Sequence, residues 1–131
     1  MKNIIVVVFL TFLNLNVNAQ ELVIKNDSEI YTIVDQKAVP KDGIKAFYQK
    51  FVKDFNTNVV TEDVSLIKFR LKFVVEKNGN LNDIIVVSEN QSEDIQIEAV
   101  RVLKLSEWYP AQQNGVAVRS VYVLPIEFRK N

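Results

Sequence analysis

Between Ile67 and Val75 the apolar residues Ile67, Phe69, Leu71, Phe73 and Val75 alternate with Lys68, Arg70, Lys72 and Val74. Side chains on a strand point to opposite faces in turn, so this period of two defines a strand with one face in a core and the other mostly in water. Lys77-Asn78-Gly79-Asn80 follows. Asn-Gly suits the two positive φ angles of a type I′ turn, so the chain is expected to reverse into a second strand over Leu81 to Ser88. A hairpin with one apolar face has to be covered, and the rest of the chain must supply the cover.

Two segments have the spacing to do so. Ile44, Phe47, Tyr48, Phe51, Val52 and Phe55 recur at steps of three and four, one face of a helix, with Asp42 as its expected N-cap. Ser92 caps a second helix in this reading, Glu93 and Asp94 suit its positive end, and Ile95, Ala99, Val102 and Leu103 form its buried face. Pro110 is expected to stop it, because the residue before a proline is pushed away from helical geometry. Ile30 to Val34, β-branched or aromatic throughout, reads as a short strand, followed by a turn at Pro40 and Gly43. Asn114-Gly115 marks the last turn, and Val118, Tyr122, Leu124, Ile126 and Phe128 form the inner face of a final strand. The fold class is therefore α+β: a three-stranded antiparallel sheet, plus a short N-terminal strand, with two helices packed on one face.

The N-terminus reads differently. Met1-Lys2, an apolar run from Ile4 to Leu15 and the small-residue site Val17-Asn18-Ala19 form a signal peptide, with cleavage expected between Ala19 and Gln20. A spanning helix needs about 20 apolar residues, and this run is shorter. The expected organisation is a signal at residues 1–19 and one domain at residues 20–131, located in the periplasm; an uncleaved anchor in the inner membrane, facing the periplasm, is the alternative.

Lys and Arg total 16, as do Asp and Glu. That balance argues against nucleic acid or an anionic membrane as partner. Cysteine and histidine are both absent, which removes disulfides, the side chain that titrates near neutrality and the commonest zinc ligand. The carboxylates Asp27 with Glu29, Glu62 with Asp63, and Glu93 with Asp94 lack the spacing of a calcium loop. No catalytic residue, metal site, cofactor or small-molecule substrate is assigned, and a carboxylate-based enzyme or enzyme subunit stays as the minor reading.

Trp108-Tyr109-Pro110-Ala111-Gln112-Gln113-Asn114-Gly115-Val116-Ala117-Val118, followed by Leu124-Pro125-Ile126-Glu127-Phe128, resembles the end of the TonB C-terminal domain family. Within it Trp108, Pro110, Gly115, Pro125 and Phe128 stand at the family's structural positions. Asn78-Gly79 with Ile84 to Val87, and Glu98 to Leu103, are similar to its hairpin and second helix; Ile30 to Asp35 with Pro40 and Gly43 is similar to the strand and turn that often precede it. Phe55-Asn56 departs from the aromatic-proline pair frequent after the first helix. The resemblance implies a module that pairs with an extended segment of an outer-membrane TonB-dependent receptor, or of another periplasmic protein, by adding a strand. A membrane-anchored energy transducer is the alternative within the family.

Pro125 has no N–H to give a central strand, so the last strand is expected at an edge, with Arg119, Ser120, Val121, Tyr122 and Val123 as the partner-binding segment. Such edges also leave open a homodimer. Trp108 is expected to pack over the sheet. Lys68, Arg70 and Lys72 are read as a solvated outer face.

Overall fold

The computed structural model describes residues 28–88 and 92–130. Ala19 and Gln20, the expected cleavage site, lie outside them. The elements are β1 (Ile30–Tyr31), β2 (Val39–Pro40), α1 (Ile44–Asp54), a 3-10 turn (Thr57–Val59), β3 (Leu66–Val75), β4 (Leu81–Val87), α2 (Glu93–Leu103), β5 (Trp108–Tyr109), β6 (Ala111–Gln113) and β7 (Val116–Arg129). Alternation at residues 67–75 is realised as β3, whose odd residues are buried. β3 pairs antiparallel with β4 on one side and with β7 on the other.

The sheet has more strands than the three expected, and it is mixed. Its order is β1-β7-β3-β4, with β6 also on β7, and β2 and β5 form a separate pair. β1 runs parallel to β7, with Ile30 opposite Arg119 and Tyr31 opposite Ser120. Nothing in the spacing of Ile30 to Val34 encodes a partner some ninety residues away, and the strand is only two residues long. An ion pair sets its place: Arg119 bonds Glu76 (Nε to Oε1, 2.7 Å) and also donates to the carbonyl of Ser28 (2.6 Å), just ahead of β1. β6 arises because Asn114 (φ 54°) and Gly115 (φ 80°) are both left-handed, the geometry of a two-residue type I′ turn, which folds Gln113 back opposite Val116.

The turn at Asn78-Gly79 is of another kind. Only Gly79 has positive φ there; its N–H bonds the Glu76 carbonyl, and the Glu76 N–H bonds the carbonyl of Asn80. This is a three-residue loop, a tight turn followed by a left-handed glycine, and not the expected type I′. A bulge at Asp83 (φ 52°) then shifts the β3–β4 register by one residue between Lys72 and Val74.

Both helices cover the same face of the sheet, as their apolar stripes require. Phe51 and Phe55 of the α1 segment meet Phe69, Phe55 meets Phe128 edge-on, and Ile95, Ala99, Val102 and Leu103 of α2 are buried. Trp108 is 1% exposed and packs edge-on against Phe47, Phe73 and Tyr122 with ring centroids 4.9–5.6 Å apart. Its indole N–H is satisfied by Ser106 Oγ at 2.9 Å.

Two terminus signals read from the sequence are corrected. Ser92 caps α2 as expected, accepting from the Ile95 N–H. Asp42 does not cap α1: the N-cap is Gly43, at φ 90°, with no side-chain bond. Pro110 does not stop α2 either. The helix ends at Leu103, where Leu105 and Ser106 N–H groups tighten the last turn onto Val102 and Leu103. Pro110 instead separates β5 from β6.

Candidate partner-binding edge

Which way each β7 backbone group points can be read from two bonds. Lys130 N–H donates to the Ser65 carbonyl, continuing the β3–β7 ladder, so even-numbered residues of β7 turn their backbone toward β3. Odd-numbered residues turn theirs away. Pro125 obeys this rule: opposite Arg70, it occupies a position where β3 asks for no N–H, and its carbonyl accepts from the Tyr48 hydroxyl at 3.0 Å.

The expected binding segment divides accordingly. Ser120 and Tyr122 direct their backbone to β3, and the Ser120 side chain is buried. Arg119 and Val121 face outward, but with Tyr31 in register with Ser120 their outward groups flank β1. The edge at Arg119 and Ser120 is therefore already covered, a correction to the expectation of an open segment there. Val123, half exposed, is the first outward-facing residue beyond β1, and among the described residues no strand lies beside it or beside Glu127 further on.

At the point where β1 leaves the sheet there is a cleft of about 370 Å³, bounded by residues 32–34 and 37–38 on one side and Ser120–Val123 on the other. One wall is thus the β7 edge itself and the other is chain. Tyr48 stands further along, on the α1 face. Burial, and then the neighbouring Tyr122, push its phenol above the ordinary tyrosine range, so at neutral pH it keeps its proton and donates to Pro125. Sequence reading placed Tyr48 among the core positions of α1 and missed this bond. The only signal was a hydroxyl within an otherwise apolar stripe.

The remaining singled-out residues are structural in their surroundings. Trp108 and Phe128 sit in the aromatic layer, Gly115 makes the type I′ turn, and Arg119 is held by Glu76. The opposite edge of the sheet, β4, has no outer strand partner among the described residues either, but the Asp83 bulge interrupts it, a common protection of such edges. Glu93 and Asp94 lie in the first turn of α2, as read. The described residues hold no group of three His, Cys, Asp or Glu side chains placed to share a metal ion.

A sheet with two helices on one face and a partly open strand edge leaves backbone groups as the accessible chemistry along β7. Residues 68–129, from β3 to the end of β7, match the family model described as the Gram-negative bacterial TonB protein C-terminal, and the resemblance to that family is thereby shown for this segment. The family is a non-enzymatic, periplasmic interaction domain of TonB-dependent transport. β1, β2 and α1, including the motif at residues 30–43, precede the matched segment. No curated protein and no solved structure matches the chain. No helix of the described residues is long and apolar enough to cross a membrane.

Proposed function

We propose that this protein binds an extended segment of an outer-membrane TonB-dependent receptor by adding it as a strand to β7, beyond the end of β1. The observation that carries this reading is the outward backbone of Val123, with a cleft beside it where β1 departs. An incoming strand would continue the line of β1, bond the outward groups of Val123 and Glu127, and place one side chain between the 32–38 segment and Tyr122. Main-chain bonds supply affinity in such pairing, and side chains at alternate positions supply specificity. Pro125 interrupts the ladder: it has no N–H, and its carbonyl is already engaged. The usable edge is therefore short, and moderate affinity is expected.

Two measurements test this. In calorimetric titration with a receptor N-terminal peptide, Val123→Pro, which deletes an outward N–H without touching the β3 ladder, weakens binding about tenfold or more, while Arg70→Ala on the open sheet face does not. Unchanged affinity in a folded Val123→Pro protein excludes this edge. We further propose that the protein reaches the periplasm with residues 1–19 removed; mass spectrometry of the full chain expressed in a Gram-negative host should give Gln20 as the first residue, and an intact Met1 in the membrane fraction would establish the anchored form instead.

A further inference from the structure

Helices cover one face of the sheet, and the other face is open. Along its middle run Lys68, Arg70 and Lys72, all exposed. The register places Lys72 between Val123 and Ile85, and Arg70 between Pro125 and Val87. Ile85 and Val123 are each more than half exposed. Lys68 stands opposite Glu127, whereas Arg70 and Lys72 have no ion-pair partner among the described residues. Two further carboxylates stand at the hairpin end of the sheet, Glu76 and Asp83: Glu76 is already committed to Arg119, and Asp83 acts on the same guanidinium. In a chain whose formal charges cancel, this face, among the described residues, keeps a central pair of cations without ion-pair partners inside an apolar frame.

We propose that this open face is a second docking surface, for an acidic segment of a partner protein in which carboxylates alternate with small apolar side chains. The carboxylates would meet Arg70 and Lys72, and the apolar residues would cover Ile85, Val87 and Val123. Charge complementarity selects this occupant over three others. A second copy packing face to face would set Arg70 and Lys72 against their own counterparts, because a two-fold interface is self-complementary. An anionic membrane surface is engaged through clusters of about four to eight basic residues, and here only Arg70 and Lys72 stand without an ion-pair partner at the centre of the face. Single-stranded nucleic acid needs aromatic platforms as well as cations, and this face has none. The site is separate from the β7 edge and does not depend on strand addition there.

The test uses the full chain and a capped synthetic peptide of alternating Glu and Val, with a Lys-Val peptide as control, followed by fluorescence anisotropy. The Glu-Val peptide should bind and the Lys-Val peptide should not. Binding should weaken about tenfold in Arg70→Glu/Lys72→Glu, and also with rising salt, as for an exposed charged contact. A saturating receptor N-terminal peptide, which pairs with the β7 edge, should change it less than about twofold. Circular dichroism establishes that each variant is folded, and Lys72→Gln gives a milder change at the same position that should weaken binding in the same direction. Equal affinity of the wild type and the doubly reversed variant overturns the proposal. So does displacement of the Glu-Val peptide by the receptor peptide, which would place both on the β7 edge, or binding to phosphatidylglycerol vesicles with none to the peptide.

Discussion

Gly79 and Gly115 both sit at positive φ, yet a methyl group would meet different surroundings at the two. At Gly115 nothing lies within 4 Å, so alanine there costs only the left-handed backbone, about 1–2 kcal/mol. At Gly79 a Cβ would run into the Trp108 carbonyl oxygen. Backbone cannot step aside as a flexible side chain does, so the hairpin tip and β5 would have to part. Gly79→Ala is therefore expected to lose more than about 3 kcal/mol, and denaturant melts of the two variants should separate clearly. Equal losses would show that strain alone, and not the approach of Trp108, fixes glycine at position 79. The sequence made Gly79 legible as a turn residue. It did not reveal the contact, because Trp108 comes from a distant strand.

Elements governed by local rules were legible, and those governed by distant partners were not. β3 follows from its alternation, and α2 follows from Ser92 with its four buried apolar residues. Asp42 looked equally good as a cap, but the chain at Gly43 takes a conformation that turns α1 away from it. Measured separately, Ser92→Ala should cost about 1 kcal/mol, as removal of a working cap does, and Asp42→Ala less than about 0.5 kcal/mol, as at ordinary surface sites. If the two losses are alike in urea titration, the cap assignments fail. The candidate site was legible as an edge from Pro125, but not its limits. Those depend on β1, on Tyr48 and on residues 32–38, whose meeting with β7 is tertiary. Glu98 was likewise invisible among the polar positions of α2, though it is buried and accepts the Asn56 N–H at 2.7 Å as well as two bonds from Arg101. A proline at position 56 could not make that bond, which accounts physically for Asn56 here.

Across the whole molecule, Glu98 ties the turn after α1 to α2, and Glu76 ties the hairpin to β7. Arg101 beside Glu98, and Arg119 beside Glu76, hold both carboxyl groups below the ordinary glutamate range. A carboxyl whose folded pKa is depressed stabilises the fold above its unfolded value, near pH ~4.3, and that contribution is lost as the pH falls through the lower folded value. Glu98→Gln should thus be destabilised by about 1 kcal/mol at neutral pH, and the gap to the wild type should close on acidification through the carboxylate range. A gap independent of pH would mean that the charge of Glu98 contributes nothing. β1, finally, is joined to the sheet by only two residues of parallel pairing. Short attachments of this kind open without global unfolding, so amides of residues 28–35 should exchange with deuterium well before those of β3, as mass-resolved exchange can follow. Each opening uncovers Arg119 and Val121 and lengthens the available ladder toward the N-terminal end of β7. A ligand for that edge would then compete with the protein's own first strand, and its apparent affinity would fall in proportion to the fraction of time that strand stays docked.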